Sequence, residues 1–514
     1  MSKKNTENSS IGKDAPPTLR DLPPDAFGRV GLDRDQVLAL NDRLDGTVLL
    51  RELTDYDHYR RIDNPAFQIY PKIIVVCKTP EDVAACLDFA HKADLWITTR
   101  SSGHSTAGYS VNDGLVLDVS NMNQIHVDES AMRVSVGPGV QFGNLNKLLD
   151  EHRLHVPGGD CPGVCVAGYM QGGGYGYTSR RYGMNCDNVL EVKVMLRDGR
   201  IVKASPERNP DLFWALRGGT GNNFGVVLEI TYQLHDLWKV WGFAILWPLA
   251  KLPQAMLALQ KGFMKSGNSS RVGYMGNLFN VKGDNVFLMQ GMYTGSEKKG
   301  KEAVAALIDG ARGKLVVDHV DTYVNMIEYF DNHPYAIPGD SDPEKEDKQS
   351  AYIARPLSAS DWEQIANFQR TTPNADNMTV IEPYGGAINA YPVDQSAFIH
   401  RDVECNFFVD VFWSKDDDGS VERKWLDEYM NLVVPLSNGR SYQNYPRRGL
   451  EDFREMYWGD AFDDLLWVKN KFDPPPYFFH YEQSISPHPN GKSSTRHQSA
   501  RPPRFSDSAI DYEL

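Results

Sequence analysis

Short apolar runs alternate with amphipathic stretches from residue 70 onward. The run KIIVVC is short and β-branched, which is typical of a buried strand, and the following TPEDVAACLDFAHKA has apolar residues at helical spacing. Thr79 is suited to cap this helix, because Pro80 takes the first helical position and Asp82 lies three residues after the cap. WITTR is predicted as the next strand, and it leads directly into RSSGHS.

This alternation of strand and helix continues as far as residue 238. GLVLDVS and MRVSVGPG are predicted strands, FGNLNKLLDEH is a predicted helix, and FGVVLEITYQL is a predicted strand with alternating faces. LEVKVMLRDGRIVKAS indicates a hairpin with an Asp-Gly turn. Residues 66–238 are therefore predicted to form a mixed α+β domain.

Residues 239–430 have a different pattern, with more aromatic residues, longer helices such as KKGKEAVAALIDGA, and long strands such as CNFFVDVFW. We predict a second α+β domain here, in which an antiparallel sheet carries helices on one face. Alternation in CNFFVDVFW divides its residues between two faces of the sheet. One face holds Asn406, Phe408, Asp410 and Phe412, and the other, which we assign to the core, holds Phe407, Val409, Val411 and Trp413.

The two ends of the chain are polar and rich in Ser, Pro and basic residues. We therefore expect a loose tail over residues 1–25, within an N-terminal lead-in that covers residues 1–65, and a flexible tail over residues 491–514. Residues 431–490 include WVKNKFDPPPYFF, which predicts a closing helix and a Pro-rich turn. We expect this segment to pack back on the first domain.

Composition limits the partners of this chain, whose 514 residues are enough for two or three domains. The net charge of −14 repels phosphate backbones and so disfavours nucleic acid as a partner. No apolar stretch has the form of a signal peptide or a membrane span, so we expect a cytoplasmic protein without a membrane partner. The 6 cysteines form no CxxC pair, and neither a disulfide scaffold nor a metal site is predicted.

Three clusters of small residues stand beside predicted strands, at residues 100–109 (RSSGHSTAGY), 158–189 and 215–227. An ordered glycine loses more backbone entropy than any other residue, so three such clusters indicate close approach of the backbone to a bulky ligand. Backbone N–H groups in Gly/Ser turns also bind anions. The residues that we predict to hold a pyrophosphate are Arg100, Ser101, Ser102, Gly103 and Ser105. The chain has neither a GxxxxGKS/T motif nor a GxGxxG motif between strand and helix.

These clusters resemble the motifs of the berberine-bridge-enzyme-like FAD-linked oxidases, in the vanillyl-alcohol-oxidase class of flavoproteins. The family motif R-S-G-G-H-S stands here as RSSGHS from Arg100 to Ser105, and C-P-x-V-G-x-x-G stands as CPGVCVAG from Cys161 to Gly168. The motifs GGGxG, DNV and DLFWALRGGGGGNFGVV stand as GGGYG, DNV and DLFWALRGGTGNNFGVV. YGGAINAYPVDQSAFIHR and NYPRRGLEDFREMYWG are similar to the family's substrate-domain and C-terminal signatures.

The resemblance extends over roughly residues 65–485 and implies an α+β fold, with a PCMH-type FAD-binding domain of two subdomains and an α+β substrate domain with an antiparallel sheet. His104 and Cys161 fill the positions that bond to the flavin 8α-methyl and C6, so the implied cofactor is bicovalent FAD. Imidazole and thiolate are suitable nucleophiles for such bonds. Without the resemblance, RSSGHSTAGY would also be typical of a surface turn, and Cys161 of an inert buried thiol.

The resemblance assigns further positions of the motifs and of the C-terminal signature to flavin binding. They are Val164, Gly168, Gly172, Gly173, Gly174, Tyr175, Gly176, Asn188, Val189, Gly225, Val227 and Tyr442. Val164 stands where related enzymes gate oxygen, and a small valine resembles the oxidase-type gate. The chain departs from the motifs at Ser102 and Cys165, each of which replaces a glycine.

A flavin oxidase also needs a base for the proton of the substrate O–H or N–H group. Tyr445 lies in an N-Y-P stretch that resembles the family's catalytic N-Y-R-D, although PRR follows the tyrosine here. We predict Tyr445 as the base, with its pKa lowered by Arg447 or Arg448. Asp410 is predicted as its partner or as a substrate contact, and the alternative for Asp410 is a solvated carboxylate.

The sequence thus predicts an oxidase that transfers a hydride from an alcohol or amine-bearing carbon to the flavin. The expected substrate is bulky, such as an oligosaccharide or a polycyclic natural product, and O2 is the second partner, reduced to H2O2. Two alternatives stay open. One is a flavin dehydrogenase or oxidative cyclase on the same scaffold, and the other is a non-catalytic protein that binds flavin or another small molecule.

Overall fold

The computed structural model describes residues 16–265, 269–281, 283–335, 345–487, 504–505 and 508–513. The described strands form three larger sheets and one short pair. The first two sheets and the short pair precede residue 239, and the third sheet lies between residues 239 and 413.

The first sheet has a parallel centre. Its strands are β1 (Thr47–Leu49), β2 (Ile73–Val76), β3 (Ile97–Arg100) and β4 (Leu115–Asp118), and the neighbouring helices are α1 (Pro24–Arg29), α2 (Arg34–Asn41), α3 (Tyr56–Arg60) and α4 (Pro80–Lys92). The strand order is β1-β2-β4-β3, with β2, β4 and β3 parallel and β1 antiparallel to β2. Every residue of β2 is buried, which explains its unbroken apolar sequence. As predicted, Thr79 caps α4, and its hydroxyl accepts the N–H of Asp82 at 3.2 Å.

Residues 16–65 belong to this layer, whereas the sequence predicted a tail and lead-in over residues 1–65. β1 pairs with β2, and Phe27, Val37 and Leu50 are buried in the same core as β2 and β4. The apolar residues of this segment are dispersed among charged ones, so no periodic run indicated its short elements. Residues 1–15, the greater part of the predicted loose tail, lie outside the described residues.

The second sheet is antiparallel. Its strands and those of the short pair are β5 (Ile125–Asp128), β6 (Arg133–Val136), β7 (Leu154–His155), β8 (Val189–Met195), β9 (Ile201–Ala204), β10 (Val226–Gln233) and β11 (His235–Asp236). The sheet order is β5-β6-β10-β8-β9, and β7 pairs with β11. The helices of this part are α5 (Phe142–Glu151), α6 (Val166–Gln171), α7 (Ser179–Tyr182) and α8 (Pro210–Leu216). The predicted hairpin is formed by β8 and β9, and its turn holds Gly199 at φ +80°.

The third sheet has seven antiparallel strands. They are β12 (Lys239–Pro248), β13 (Val272–Val281), β14 (Asp284–Tyr293), β15 (Lys314–Thr322), β16 (Lys345–Ile353), β17 (Met378–Pro383) and β18 (Cys405–Trp413), in the order β15-β12-β14-β13-β17-β18-β16. The remaining α-helices are α9 (Leu252–Gly262), α10 (Glu297–Asp309), α11 (Tyr323–Asn332), α12 (Ala359–Gln369), α13 (Ala387–Ala390), α14 (Ser420–Val433), α15 (Phe453–Tyr457) and α16 (Phe462–Phe472). In the described part of the chain, no helix combines the length and the apolar character that crossing a membrane requires.

The two faces of β18 have different surroundings, which confirms the predicted alternation. Phe407 and Val409 are buried together with Tyr429 of α14. On the opposite face, Asp410 and Phe412 line a cavity. The third sheet therefore has one face covered by helices and an opposite face that lines the cavity.

The C-terminal segment returns from the third sheet to the first domain. Lys469 of α16 is fully buried and donates to the backbone carbonyls of Asn223 and Phe479 and to the carboxylate of Asp473. Asn223 belongs to the third small-residue cluster. The buried ammonium therefore fastens the C-terminal segment to a loop of the first domain.

Residues 508–513 also contact the first domain. The backbone N–H of Asp511 donates to Oδ1 of Asn209 at 2.9 Å, and Nδ2 of Asn209 donates to the carbonyl of Asp511 at 2.8 Å. This differs from the flexible tail predicted for residues 491–514. The composition of this segment indicated no structure, because its contacts are made with a distant turn; most of the rest lies outside the described residues.

Replacing Lys469 with methionine is expected to lower the free energy of unfolding by about 3 kcal/mol, because buried Asp473 loses the nearer of its two cations and keeps only Arg197, at 3.3 Å. Denaturation in urea measures this change. The matched control is Lys301→Met, which breaks an exposed pair with Glu297 and should leave the unfolding midpoint almost unchanged. Equal effects of the two substitutions would contradict the anchoring role of Lys469.

Candidate functional site

A cavity of about 540 Å³ lies between the first domain and the third sheet. Its wall combines residues from all three small-residue clusters with residues of β16, β17, β18 and the C-terminal segment. The cluster at 100–109 directly follows β3, and the cluster at 215–227 leads into β10, so both reach the cavity as loops at strand ends.

The loop after β3 carries His104 into the cavity. Gly103 has φ +85°, in the left-handed region that favours glycine. Nδ1 of His104 lies 3.4 Å from Oδ2 of Asp63, and the hydrogen bond from His104 lowers the pKa of the Asp63 carboxyl. On the other side of the ring is Gly163, where an added Cβ would lie 3.1 Å from Nε2. The imidazole is thus held between a carboxylate and the loop that carries Cys161.

The two cysteines of the second cluster differ in accessibility. Cys161 is exposed on the cavity wall, whereas Cys165 is buried. Burial raises the pKa of the Cys165 thiol, which donates to the carbonyl of Gly139 at 3.3 Å. Because the thiolate is the reactive form of cysteine, Cys161 is the thiol of this loop that is available to a ligand.

Most of the predicted flavin-site residues lie on the cavity wall. They are Ser101, Ser102, Gly103, His104, Ser105, Cys161, Val164, Gly168, Tyr175, Gly225, Val227 and Tyr442. The predicted catalytic residues Tyr445 and Asp410 lie on it as well. The others are not among the described residues that line the cavity, and they are Arg100, Gly172, Gly173, Gly174, Gly176, Asn188 and Val189.

Three of these outlying residues hold the walls in place instead of forming them. The guanidinium of Arg100 donates to the carboxylate of Asp118 and so ties β3 to β4. Nδ2 of Asn188 donates to the carbonyl of Met184 at 2.8 Å, and Val189 is buried at the start of β8. The side chains of these three motif residues face neighbouring backbone or core, not the cavity.

The glycine turn after α6 packs closely against protein atoms, and the flavin contacts predicted for its glycines stay a prediction. A Cβ on Gly172 would lie 1.8 Å from Oδ1 of Asn444, and a Cβ on Gly173 would lie 2.7 Å from the ring of Phe398. The same holds for Gly174 and Gly176, each of which has protein atoms within 2.4 Å of an added Cβ. The small residues of this turn therefore admit the C-terminal segment and the loop before β18.

A bidentate ion pair joins the two sides of the cavity. Arg401 donates to both carboxylate oxygens of Asp187, at 2.6 and 2.8 Å, and both side chains are buried. Asp187 belongs to the DNV motif before β8, and Arg401 lies shortly before β18. Charge-assisted pairs of this geometry are strong and directional, so the pair fixes the third sheet against the first domain.

The carboxyl of Glu382 faces Tyr445 at the cavity wall. Oη of Tyr445 donates to Oε1 of Glu382 at 2.7 Å, and Nδ2 of Asn406 donates to Oε2 at 2.8 Å. Burial raises the pKa of Glu382 to about 7 and also raises the pKa of Tyr445 well above its usual range. The prediction of a lowered tyrosine pKa is therefore wrong, because the phenol is buried and its hydroxyl faces a carboxyl instead of a cation.

Asp410 and the two predicted arginines have other partners. Asp410 pairs with Lys348 at 2.6 Å, because the register of β16 and β18 sets these residues opposite each other. The ammonium of Lys348 lies 5.1 Å from the centre of the Tyr445 ring. The guanidinium groups of Arg447 and Arg448 bind a carboxylate and a backbone carbonyl elsewhere. Lys348, rather than either arginine, is therefore the cation beside Tyr445.

Two family models match the chain, one described as FAD binding domain over residues 71–205 and one described as Berberine and berberine like over residues 441–486. An uncharacterized FAD-linked oxidoreductase of Bacillus subtilis (strain 168) is 29% identical over 455 residues, which is 87% of this chain and 99% of the relative. A xylooligosaccharide oxidase of Thermothelomyces thermophilus is 27% identical over 464 residues, covering 81% of this chain and 87% of the relative. The chain is a berberine-bridge-enzyme-like FAD-linked oxidoreductase.

A solved structure has the same fold as this oxidoreductase. BBE-like 1 of Physcomitrella patens superposes with a TM-score of 0.79 at 24% sequence identity, covering 88% of this chain and 99% of that chain. The architecture is therefore the α+β, PCMH-type arrangement that the sequence predicted. The region that the FAD-binding model matches holds strands of the first two sheets, and the seven-stranded antiparallel sheet follows it in the chain.

The cavity of this FAD-linked oxidoreductase suits its cofactor. The hydroxyls of Thr99, Tyr109 and Ser110 are buried on the wall and have no hydrogen-bond partner among the described residues. The backbone N–H groups of residues 101–105 also make no hydrogen bond within the described part of the chain. Such a set of donors fits a ligand rich in acceptor oxygens, as the pyrophosphate and ribose of FAD are.

The sequence analysis did not identify the residues of the third sheet that contact Tyr445. Glu382 is the last residue but one of the strand MTVIEP, where a single carboxylate after apolar residues has no periodic signal. Its function depends on the register of β17 and β18, which places it opposite Asn406. The one usable sign was its place two residues before the first residue of the YGG signature. Lys348 lies in a polar strand, KEDKQS, where it resembled a solvated residue.

Gly172→Ala is expected to lower the thermal midpoint of this oxidoreductase by several degrees, because the new Cβ would overlap Oδ1 of Asn444. Circular dichroism during heating measures the midpoint. Gly262→Ala is the matched control, since it changes a helical glycine that has nothing within 4 Å of an added Cβ. An unchanged midpoint in Gly172→Ala would show that the C-terminal segment does not need this close approach.

Proposed function

We propose that this oxidoreductase is an oxidase of alcohol or amine-bearing carbons in bulky substrates, with FAD bound covalently through both His104 and Cys161. The observation that carries the proposal is the hydrogen bond of 2.7 Å between Tyr445 and Glu382, on the same cavity wall as His104 and Cys161. A proton acceptor thus shares one cavity with two nucleophiles suited to holding a flavin. When bound, the flavin supplies the hydride acceptor, and its reoxidation by O2 yields H2O2.

The surroundings of His104 and Cys161 support the two proposed bonds. Asp63, 3.4 Å from Nδ1 of His104, orients the ring and is a suitable acceptor for the proton that imidazole loses on attachment. The thiol of Cys161 opens onto the cavity, while Cys165 is withheld from reaction by burial. Each tether thus has the environment that its chemistry requires.

Glu382 is proposed as the final proton acceptor, acting through Tyr445. The substrate hydroxyl or amine would donate to Oη of Tyr445 while that phenol donates to Glu382, so the tyrosine remains neutral throughout. A pKa of about 7 suits a general base at neutral pH. Burial is the main cause of this pKa; of the surrounding charges, Asp160 raises it further and Lys348 lowers it.

Asp410 is proposed to act through Lys348 and not on the substrate itself. Its carboxylate holds the ammonium at 2.6 Å, and the ammonium faces the Tyr445 ring at 5.1 Å. A fixed cation at this point stabilises the negative charge that develops on the substrate oxygen or nitrogen as its proton passes to the relay. In this proposal Asp410 is a positioning residue, and Tyr445 and Glu382 are the catalytic pair.

We propose a bulky substrate because two covalent bonds hold the flavin in place. The protein then does not need to enclose the cofactor to retain it, and the site can be open to a large molecule. Flavin and substrate would share the cavity of about 540 Å³, with the substrate against the third sheet. The xylooligosaccharide oxidase among the relatives supports an oligosaccharide, and a polycyclic natural product is the other class that fits. Val164 on the wall supports access of O2, because its side chain is small.

Acid denaturation tests the covalent attachment. Wild-type protein is expected to keep its yellow colour in the precipitate, as are His104→Ala and Cys161→Ala through the bond that each retains, whereas the double variant releases it. Visible spectra of pellet and supernatant measure the distribution. Cys186→Ala removes a buried thiol and serves as control, with colour retained. Release of the flavin from the wild type would refute the attachment while leaving the fold intact.

The reaction is tested by peroxide release from a panel of oligosaccharides and polycyclic natural-product alcohols and amines. With the best substrate, kcat/KM of the wild type is expected to fall about tenfold per pH unit below pH 7, because the base Glu382 becomes protonated there. Glu382→Gln lowers kcat/KM about 10²-fold or more and removes this dependence. Tyr445→Phe and the double variant should fall to a similar level, since the two groups act as one relay.

Glu404→Gln is the matched control for the relay, because Glu404 is also buried but does not line the cavity. Its kcat/KM should equal that of the wild type. A pH profile unchanged by Glu382→Gln would remove Glu382 from the relay. Anaerobic reduction of the flavin without release of peroxide in air would identify a dehydrogenase instead of an oxidase.

A further inference from the structure

The two residues that depart from the family's glycine motifs contact each other. Oγ of Ser102 accepts the backbone N–H of Cys165 at 3.1 Å. Cys165 is 2% exposed, and its thiol donates to the carbonyl of Gly139. Glycine at position 102 has no hydroxyl for this N–H, and glycine at position 165 would leave the space of the buried thiol empty. The hydroxyl that Ser102 adds therefore has a partner in the backbone of residue 165.

The contact joins the two loops that carry the proposed tethers. The loop of Cys161 is held on one side by backbone hydrogen bonds to residues 140–143, at 2.9 to 3.0 Å. Its other side faces the loop of His104, and there the hydrogen bond from Cys165 to Ser102 crosses between the loops. This bond thus contributes to the separation of the imidazole and the thiol that would hold one flavin.

We propose that Ser102 is a positioning residue for the flavin bond of Cys161, because it holds the loop of Cys161 against the loop of His104. The inference rests on the proposed bicovalent attachment. That attachment joins the Cys161 sulfur to flavin C6, releases the thiol proton and the proton of that carbon, and passes two electrons to O2, which leaves as H2O2. Ser102 takes no part in this chemistry; it contributes alignment.

Loss of the Ser102 hydroxyl is expected to change the position of Cys161 relative to His104 without unfolding the protein. The N–H of Cys165 lies at the start of α6, and a buried N–H without an acceptor drives the backbone to rearrange until it finds one. A shift of about 1 Å between reacting atoms is enough to slow a reaction about 10²-fold. The imidazole of His104 has a contact of its own, with Asp63 at 3.4 Å, so the bond of His104 is expected to form without the hydroxyl of Ser102.

Substitutions at Ser102 and Cys165 test the proposal on the full-length protein as purified with its flavin. Ser102→Gly is expected to reduce the fraction of doubly attached flavin at least about tenfold, with attachment through His104 retained. Cys165→Ala removes the thiol but keeps the backbone N–H and its hydrogen bond to Ser102, so it is expected to retain the doubly attached form. Proteolysis and mass spectrometry measure the fraction in which the His104 and Cys161 peptides are joined through one flavin.

Two further variants separate alignment from folding. Ser102→Thr keeps the hydroxyl and is expected to resemble the wild type, whereas Ser102→Ala repeats the loss with less backbone freedom if the glycine variant fails to fold. Ser205→Ala is the matched control, because its hydroxyl also accepts a backbone N–H, that of Arg208 at 3.1 Å, outside the cavity wall. Thermal midpoints establish that each variant compared is folded.

The outcomes distinguish this inference from the function on which it rests. Doubly attached flavin at the wild-type level in Ser102→Gly or Ser102→Ala overturns the inference. So does an equal loss of doubly attached flavin in Cys165→Ala, because that variant retains the hydrogen bond to Ser102. Absence of joined peptides in the wild type overturns the bicovalent attachment itself, and that result is obtained without any variant.

Discussion

The buried ion pair of Asp187 and Arg401 determines how the third sheet meets the first domain. Both charges are removed from water, so breaking the pair would leave an uncompensated charge in the interior. The cavity is the gap between these two bodies, and its width therefore depends on a contact that does not line it. The glycine turn after α6 adds to this constraint, because the absence of Cβ atoms there lets the substrate-domain side approach closely.

The residues proposed to hold the flavin could be predicted from the sequence because they lie close together along the chain. A loop of small residues after a strand brings His104 and its N–H groups to one place, and all of them lie within ten residues of each other. At Gly172 the missing Cβ also makes room for Asn444 of the C-terminal segment, a contact that the local motif does not report. A sequence shows that a Cβ is absent, but it does not show which atom would have met it.

The proton-transfer side was only partly predictable, because it depends on strand register. Alternation within one strand correctly turned Asp410 toward the cavity. Its partner Lys348 lies on β16, and the pairing of these strands is a long-range property with no signal in either segment. Glu382 reached Tyr445 in the same way, and the pKa of each follows from burial, which a local motif does not report.

The C-terminal segment has a consequence for the order of events during biosynthesis. Tyr481 and Gln483 form part of the cavity wall, and Lys469 binds their segment to the loop at Asn223. On the ribosome, the FAD-binding domain emerges first but lacks this wall until these late residues have been translated. The complete cavity therefore forms, and can bind the cofactor, only after nearly the entire chain has been synthesised.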